Sequence, residues 1–140
     1  MTPITGMPLT TLDCSDAAAV SSLLPVQGMK LTNLVINGTK ISDLSPLRGM
    51  PLDRLELKGS PISDLSPLAE MPLTVFWCPE TQVTDFSALK NMPLKELVFD
   101  FKPERDSEII RSIKTLAKIN GKPAAEFWKE VEAQQKGKKP

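Results

Sequence analysis

The sequence predicts an α/β solenoid, in which each turn of a coil adds one short strand to a parallel sheet. A unit of 21 residues recurs from Gly28, Gly49, Glu70 and Asn91, and a 22-residue unit precedes these from Gly6. Each unit follows the pattern L-x-x-L-x-L, with Ile, Phe or Cys in place of some of the leucines. The fourth and sixth positions of this pattern point to one face of a strand. The rest of the unit has room for only one or two helical turns, so we expect 3₁₀ or short helices on the convex side. We expect a right-handed coil with its strands on the concave face.

The apolar positions of the unit predict one continuous core. The unit reads L-x-x-L-x-L-x-x-T-x-I-x-D-L-x-P-L-x-x-M. One unit cannot bury its apolar face alone, but stacked neighbours share it. We therefore expect the anchors of two adjacent units to lie inside: Leu31, Leu34, Ile36, Ile41, Leu44, Leu47 and Met50, then Leu52, Leu55, Leu57, Ile62, Leu65, Leu68 and Met71.

The segment after each strand contains an aspartate followed by Ser-Pro or Ser-Ala, as at Asp43, Asp64 and Asp85. We expect the serine to cap a short helix and the proline to take its first position, as at Ser45 and Pro46. The aspartate column has two interpretations: the carboxylates cap the helical turns, or they form a ladder that binds cations. We favour capping, because a cap accounts for each aspartate by itself.

The repeat resembles the leucine-rich repeat family, whose units of 20–29 residues carry L-x-x-L-x-L-x-x-N/C-x-L. The resemblance covers residues 1–100 and is carried by successive units in one register. The usual asparagine is replaced by Thr39, Ser60 and Thr81. We expect these hydroxyls to bond to loop backbone groups in its place.

The repeat pattern ends near residue 100, and the remaining residues predict a cap with an apolar inner face and a polar outer face. The sequence Lys-Pro-Glu-Arg-Asp has its proline early and its acids in the first turn, so we expect a first helix over 103–116. We divide the chain into about four and a half leucine-rich repeats at 1–100 and a helical C-terminal cap with a basic tail at 101–140.

A strand-like opening at Leu116–Ile119 is expected to form a last short strand. Asn120-Gly121 indicates a turn, and Pro123 is expected to begin a second helix. We expect the tail from Lys136 to Pro140 to be solvated. One face of the second helix is apolar and consists of Ala124, Phe127, Trp128 and Val131.

The segment from Pro103 to Glu132 (PERDSEIIRSIKTLAKINGKPAAEFWKEVE), after units such as GTKISDLSPLRGMPL, resembles the tail of bacterial leucine-rich arrays that accompany Ser/Thr protein kinase domains. This resemblance implies a signalling or scaffolding setting. The sequence itself contains no Gly-rich loop, no H-R-D and no D-F-G of a kinase. Because Thr2–Thr5 matches the end of a unit, we expect the chain to be the downstream end of a longer array or a natural protein with a truncated first unit.

Composition excludes several classes of function. The 140 residues contain no His, which removes Ser-His-Asp and Cys-His nucleophiles and His-ligated metals, and we expect no catalysis, metal or cofactor. Seventeen basic residues balance seventeen acidic ones, so nothing favours binding to nucleic acid or to a membrane. Cys14 and Cys78 are expected to be buried free thiols on the order of 14 Å apart, beyond disulfide reach. Free thiols and the lack of a signal-peptide pattern favour a cytoplasmic location.

The outward-facing strand positions form the candidate binding surface. The central column contains Asp13, Val35, Glu56, Trp77 and Val98, the column before it Thr11, Asn33, Arg54, Val75 and Glu96, and the column after it Ser15, Asn37, Lys58, Pro79 and Asp100. An outward-facing Trp77 has two interpretations: it is a binding hot spot, or it packs on neighbouring strand side chains or under the cap. We predict that a protein partner contacts Trp77, Val75, Val98, Arg54, Glu56, Val35, Asn33, Lys58 and Glu96.

Two functional hypotheses follow from these patterns. In the first, the chain is a non-catalytic interaction module that binds a protein partner through the concave sheet of a larger signalling protein. In the second, it is a structural end-piece or self-association module of the array, with no ligand of its own. The open first repeat near Leu9–Cys14 then exposes a sheet edge, and such edges pair with another chain, so a homodimer through the N-terminal end is expected.

Overall fold

The computed structural model describes residues 10–137, in which seven strands form one sheet. They are Thr11–Asp13 (β1), Asn33–Val35 (β2), Arg54–Glu56 (β3), Val75–Trp77 (β4), Glu96–Val98 (β5), Lys118–Ile119 (β6) and Lys122–Pro123 (β7). The strands lie side by side in chain order; β1 to β6 are parallel, and β7 runs antiparallel to β6. Among the expectations above, the half-unit at Thr2–Thr5, Leu9 and the end of the tail lie outside the described residues.

The strands are short because each belongs to a unit of about 21 residues that must also turn back over the core. The middle residue of each strand points inward, and Leu34, Leu55, Phe76 and Leu97 are fully buried. Equivalent positions of successive units pair with one another across the sheet. The outward residues therefore line up in the columns that the repeat period predicts.

A 3₁₀ turn follows each of the first four strands, as the sequence predicts: Leu24–Val26, Ser45–Leu47, Ser66–Leu68 and Ser87–Leu89. The prediction that serine caps these turns is wrong, since Ser45 is the first helical residue and Pro46 the second. The aspartate two positions earlier accepts the serine N–H instead, at 2.9 Å from each of Asp43, Asp64 and Asp85. An aspartate side chain is short enough to reach its own backbone two residues on, which closes the turn.

These contacts lower the pKa of all three aspartates. The largest cause is the backbone N–H of the following serine, and the serine hydroxyl adds to it. In the first unit Ser22 takes the place of the aspartate, and its Oγ accepts the Leu24 N–H at 3.1 Å. The bonds support the capping interpretation, because each carboxylate has its partner within its own turn.

The hydroxyl residues that replace the expected asparagine are bonded as predicted. Thr39 and Ser60 are buried, and both donate to the Ile36 carbonyl oxygen at 2.9 Å. Their hydroxyl oxygens lie 3.2 Å apart. Thr81 donates to the Cys78 carbonyl oxygen at 2.9 Å. The hydroxyls thus satisfy loop carbonyls inside the fold, which would be costly to leave without a partner.

One hydrophobic core continues from Leu23 to Val131. Every anchor predicted in the two adjacent units is buried, and so is Cys78. Cys14 is half-buried, which corrects the expectation that it lies inside. Among the described residues, β1 next to Cys14 has one neighbouring strand, whereas β4 next to Cys78 lies between two. Both cysteines are free thiols, as predicted.

Two α-helices follow β5, α1 at Pro103–Arg111 and α2 at Ala124–Gly137. The predicted first helix over 103–116 is too long at its C-terminal end. The N–H groups of Ala117 and Lys118 donate to the Lys95 carbonyl oxygen, which draws this segment beside β5 as β6. Pairing with the sheet therefore overrides helix propensity beyond α1.

The second helix begins one residue later than predicted, because Pro123 belongs to β7. Its predicted apolar face packs on the core. Phe127 and Trp128 join three aromatic rings from the preceding segments in edge-to-face contacts with centroids 5.0–5.9 Å apart; these rings are Phe86, Phe99 and Phe101. Such contacts stabilise the junction beyond the area that they bury.

A buried ion pair holds the start of α1. Asp106 is 2% exposed, and its carboxylate accepts the Lys102 N–H at 2.9 Å and two N–H groups of Arg105 at 2.6 and 2.8 Å. The Arg105 guanidinium also lies 5.3 Å from the ring centroid of Phe86. The pair thus connects α1 to the aromatic contacts. The division of the chain at residue 100 stays a prediction: the helix type changes there, but the sheet and the core continue.

Candidate functional site

The candidate site is the concave surface, defined here as the outward-facing side chains of β2 to β5 with Asn37 and Lys58 just beyond β2 and β3. Strand pairing places Asn33, Arg54, Val75 and Glu96 in one column and Val35, Glu56, Trp77 and Val98 in the next. The structure thus gathers all nine predicted residues on one face. Glu56 is buried, Lys58 is exposed, and the other seven are half-buried.

Glu56 is the centre of the polar contacts on this surface. It is only 9% exposed although it occupies an outward position. Its Oε2 accepts the Nε–H of Arg54 at 2.7 Å, and its Oε1 accepts the side-chain amide of Asn37 at 3.2 Å. The Asn37 carbonyl oxygen in turn accepts the backbone N–H of Lys58 at 2.8 Å. A charged group can remain buried here because both of its oxygens have partners.

Asn37 was missing from the predicted site. It lies in the column after the central one, beside the charged residues Glu56 and Lys58 of the next unit. Its amide can donate to one neighbour and accept from another. That was the signal which could have identified it as a bridge between β2 and β3.

Trp77 contacts the strands on both of its sides. Its Nε1–H donates to Glu96 Oε2 at 2.9 Å on β5. On β3, Cζ of Arg54 lies 5.1 Å from the indole centroid, which is within the range of a cation–π contact. Of the two interpretations, packing on neighbouring strand side chains is therefore observed, while a role as a binding hot spot stays a prediction.

The valines supply the apolar part of the concave surface. Val75 pairs in register with Arg54, and Val98 pairs with Trp77. Val35 pairs in register with Glu56 on the other side. Each valine therefore lies beside a charged residue or beside Trp77 on the neighbouring strand.

Neither a metal-binding cluster nor a thiol with a lowered pKa is found among the described residues. Within residues 10–137, no three acidic or sulfur-bearing side chains gather in a way that would hold a metal ion. Burial raises the pKa of the Cys78 thiol strongly, with smaller contributions from Asp100 and Asp106. A thiol that stays protonated is a poor nucleophile. None of the helices described here is both long enough and apolar enough to cross a bilayer.

The comparisons with known proteins give one line of support. No protein-family model and no curated protein matches the sequence. Among solved structures, the chain is similar to internalin C2 from Listeria monocytogenes, a leucine-rich repeat protein, with a TM-score of 0.57 and 20% identity. The match covers 78% of this chain and 69% of that chain. Together with the sheet and its 3₁₀ turns, the likeness shows that this chain folds as a leucine-rich-repeat solenoid.

Proposed function

We propose that the protein is a non-catalytic interaction module that holds a protein partner on the concave surface. The observation that carries the proposal is Trp77, a half-buried indole at an outward position with Glu96 and Arg54 fixing it from either side. Tryptophan and arginine are enriched among residues that dominate binding energy. Because both side chains are already held in place, a partner would lose little affinity to their ordering.

The size of the surface favours a short segment of the partner. Three spacings from β2 to β5 measure roughly 14 Å, and the distance from the first residue of a strand to the second residue beyond its end is roughly 13 Å. The resulting area of roughly 190 Å² is well below the ~800 Å² that each partner buries in a standard interface. An extended segment lying across the strands would fit, with the partner's remaining contacts on the adjoining loops.

A second candidate is the end-piece that associates with itself through its first repeat. One observation favours it: Leu24 is 65% exposed at the position where later units carry serine, as in Ser45. Leu12, Cys14 and Val20 beside it are only half-buried. A second copy covering this end would bury these side chains and extend the sheet from β1.

We also propose the setting that the sequence resemblance implies. The chain would form the terminal part of a longer array in a bacterial signalling protein that carries a Ser/Thr kinase domain. The resemblance of residues 103–132 supports this assignment. The free thiols of Cys14 and Cys78 support a reducing compartment such as the cytoplasm.

The test exposes three immobilised proteins to a bacterial lysate: wild type, Trp77→Ala and Leu24→Ser. The three are first checked for equal thermal stability. The first candidate predicts a partner that wild type and Leu24→Ser retain and Trp77→Ala loses. The second candidate predicts that light scattering finds a dimer of wild type and a monomer of Leu24→Ser. A monomeric wild type whose captured proteins are all retained by Trp77→Ala would contradict both candidates.

A further inference from the structure

We infer that the partner segment presents an acidic side chain beside an apolar one, with the carboxylate bound by Arg54 and the apolar group packed on Trp77 and Val98. This inference deepens the proposed function and rests on it. Some charged groups of the concave surface are already bonded inside the protein, and others are open to a ligand.

The acidic groups are engaged internally. Both oxygens of Glu56 accept hydrogen bonds and the residue is buried. Glu96 accepts the indole N–H of Trp77. The two acids at the margins are engaged as well: Asp13 accepts the N–H and the hydroxyl of Ser15, and Asp100 accepts the N–H of Glu80. Acceptors that already have donors gain less from a basic partner.

Arg54 and Asn33 keep side-chain donors that no described residue accepts. Arg54 uses only Nε on Glu56, and neither terminal nitrogen forms a hydrogen bond or ion pair with any residue that the structure describes. Its side chain is 38% exposed. Asn33, its register partner on β2, has no side-chain hydrogen bond within the described part of the chain. A guanidinium presents its N–H groups as a planar fork that matches the two oxygens of a carboxylate.

A basic partner is the competing choice, and it would have to use Glu96. Lys118 on β6 pairs in register with Glu96, so a basic residue already occupies the neighbouring strand position. Glu56 is only 9% exposed, and a basic partner would have to compete with Arg54 and Asn37 for its oxygens. An acidic partner meets no such competition.

The apolar neighbours give the site its second requirement. Val75 lies beside Arg54 and Val98 beside Trp77 in the sheet register. An apolar side chain covering them would exclude water from the guanidinium. Charge pairing is stronger in such a low-dielectric setting than in open solvent. The surface therefore selects an acid and an apolar residue close together on one extended segment.

The experiment selects phage-displayed random dodecapeptides on wild-type protein and, in parallel, on Trp77→Ala. The best Trp77-dependent peptide is synthesised with its acidic residue intact and with that residue changed to the matching amide. Affinities are measured by titration for wild type and for Arg54→Met combined with Glu56→Gln, a pair that leaves no buried charge unpaired. Arg48→Met serves as the matched control, because Arg48 is an exposed arginine outside the concave surface.

We expect the selected peptides to be enriched in Asp or Glu next to an apolar residue. On wild type and Arg48→Met, the amide peptide should bind at least about tenfold more weakly than the acid, as expected for one charge-assisted pair. The double variant should bind both peptides equally. Trp77-dependent peptides that are basic or uncharged would overturn the inference and leave the proposed function standing. The absence of any peptide that distinguishes wild type from Trp77→Ala would contradict both.

Discussion

Removing the buried hydroxyls of Thr39 and Ser60 together should destabilise the fold by more than the two separate removals combined. Both hydroxyls donate to one acceptor, the Ile36 carbonyl oxygen, at 2.9 Å. In Thr39→Val or Ser60→Ala, the carbonyl keeps one hydroxyl partner. In the double variant it keeps only the backbone N–H of Thr39, at a long 3.4 Å.

The magnitudes follow from the cost of hydrogen bonds. Each single variant loses one hydroxyl-to-carbonyl hydrogen bond, worth about 1 kcal/mol. Thr39→Val also removes the acceptor of the Ile41 N–H, a contact of 3.5 Å that is too long to add much. The double variant also leaves a buried carbonyl poorly bonded, which adds about 1–2 kcal/mol. We therefore expect free energies of unfolding lowered by about 1, 1 and 3–4 kcal/mol, a coupling between the two positions that a double-mutant cycle isolates.

The assay is equilibrium unfolding in urea, followed by the fluorescence of Trp77 and Trp128 and by far-ultraviolet circular dichroism. Coincident transitions from the two signals would establish that unfolding is two-state. Thr84→Val, at an exposed threonine, is the control and should change stability by less than about 0.5 kcal/mol. If the two substitutions add within about 0.5 kcal/mol, the shared-acceptor explanation is refuted.

Two further predictions concern the convex turns and the cap. Replacing the turn aspartates Asp43, Asp64 and Asp85 by asparagine should reduce the fall in the free energy of unfolding at acid pH, because an amide oxygen can accept the serine N–H without titrating. In wild type the folded pKa values are lowered, so their contribution is present above the unfolded value of about 3.9 and is lost as the pH falls through the folded values. The urea midpoint is measured at several pH values across that range. If it depends on pH as steeply in the triple variant as in wild type, this explanation is contradicted. Asp106→Ala should cost about 2–4 kcal/mol and speed amide exchange in α1, because it removes the buried partner of Arg105 and Lys102. Glu104→Ala, an exposed acid in the same turn, should do neither, and equal exchange in the two variants would show that Asp106 does not hold the helix.

The repeat period explains why so much of the fold could be predicted from the sequence. Once successive units share a length, equivalent residues must lie side by side, so one pattern determines strands, core and columns together. The burial of every predicted anchor from Leu31 to Met71 and the register of β2 to β5 are consequences of this rule. The turns followed from the same repetition, although the capping atom came from aspartate and not from serine.

The repeat period predicts little about burial and helix length where the repetition stops. Cys14 belongs to the first described unit and is only half-buried, while Cys78, at an equivalent position in the interior, is fully enclosed. At the other end, α1 is shorter than its sequence suggests because β6 is drawn to the sheet edge at β5. Both positions lie next to a single regular repeat among the described residues, so the repeat period alone does not determine their packing.

The repeat period also does not predict contacts between unlike residues of neighbouring units. The concave surface depends on such contacts. Glu56 stands at an outward position, yet Arg54 and Asn37 enclose it. Arg54 also rests on Trp77, whose indole in turn donates to Glu96. These side chains form one connected set across β2 to β5, so a substitution at one of them changes the setting of the others. An alanine scan of this surface would assign the same contact to several residues at once. Double-mutant cycles between a partner's residue and each member of the set are therefore needed to separate binding contacts from the contacts that hold the surface in shape.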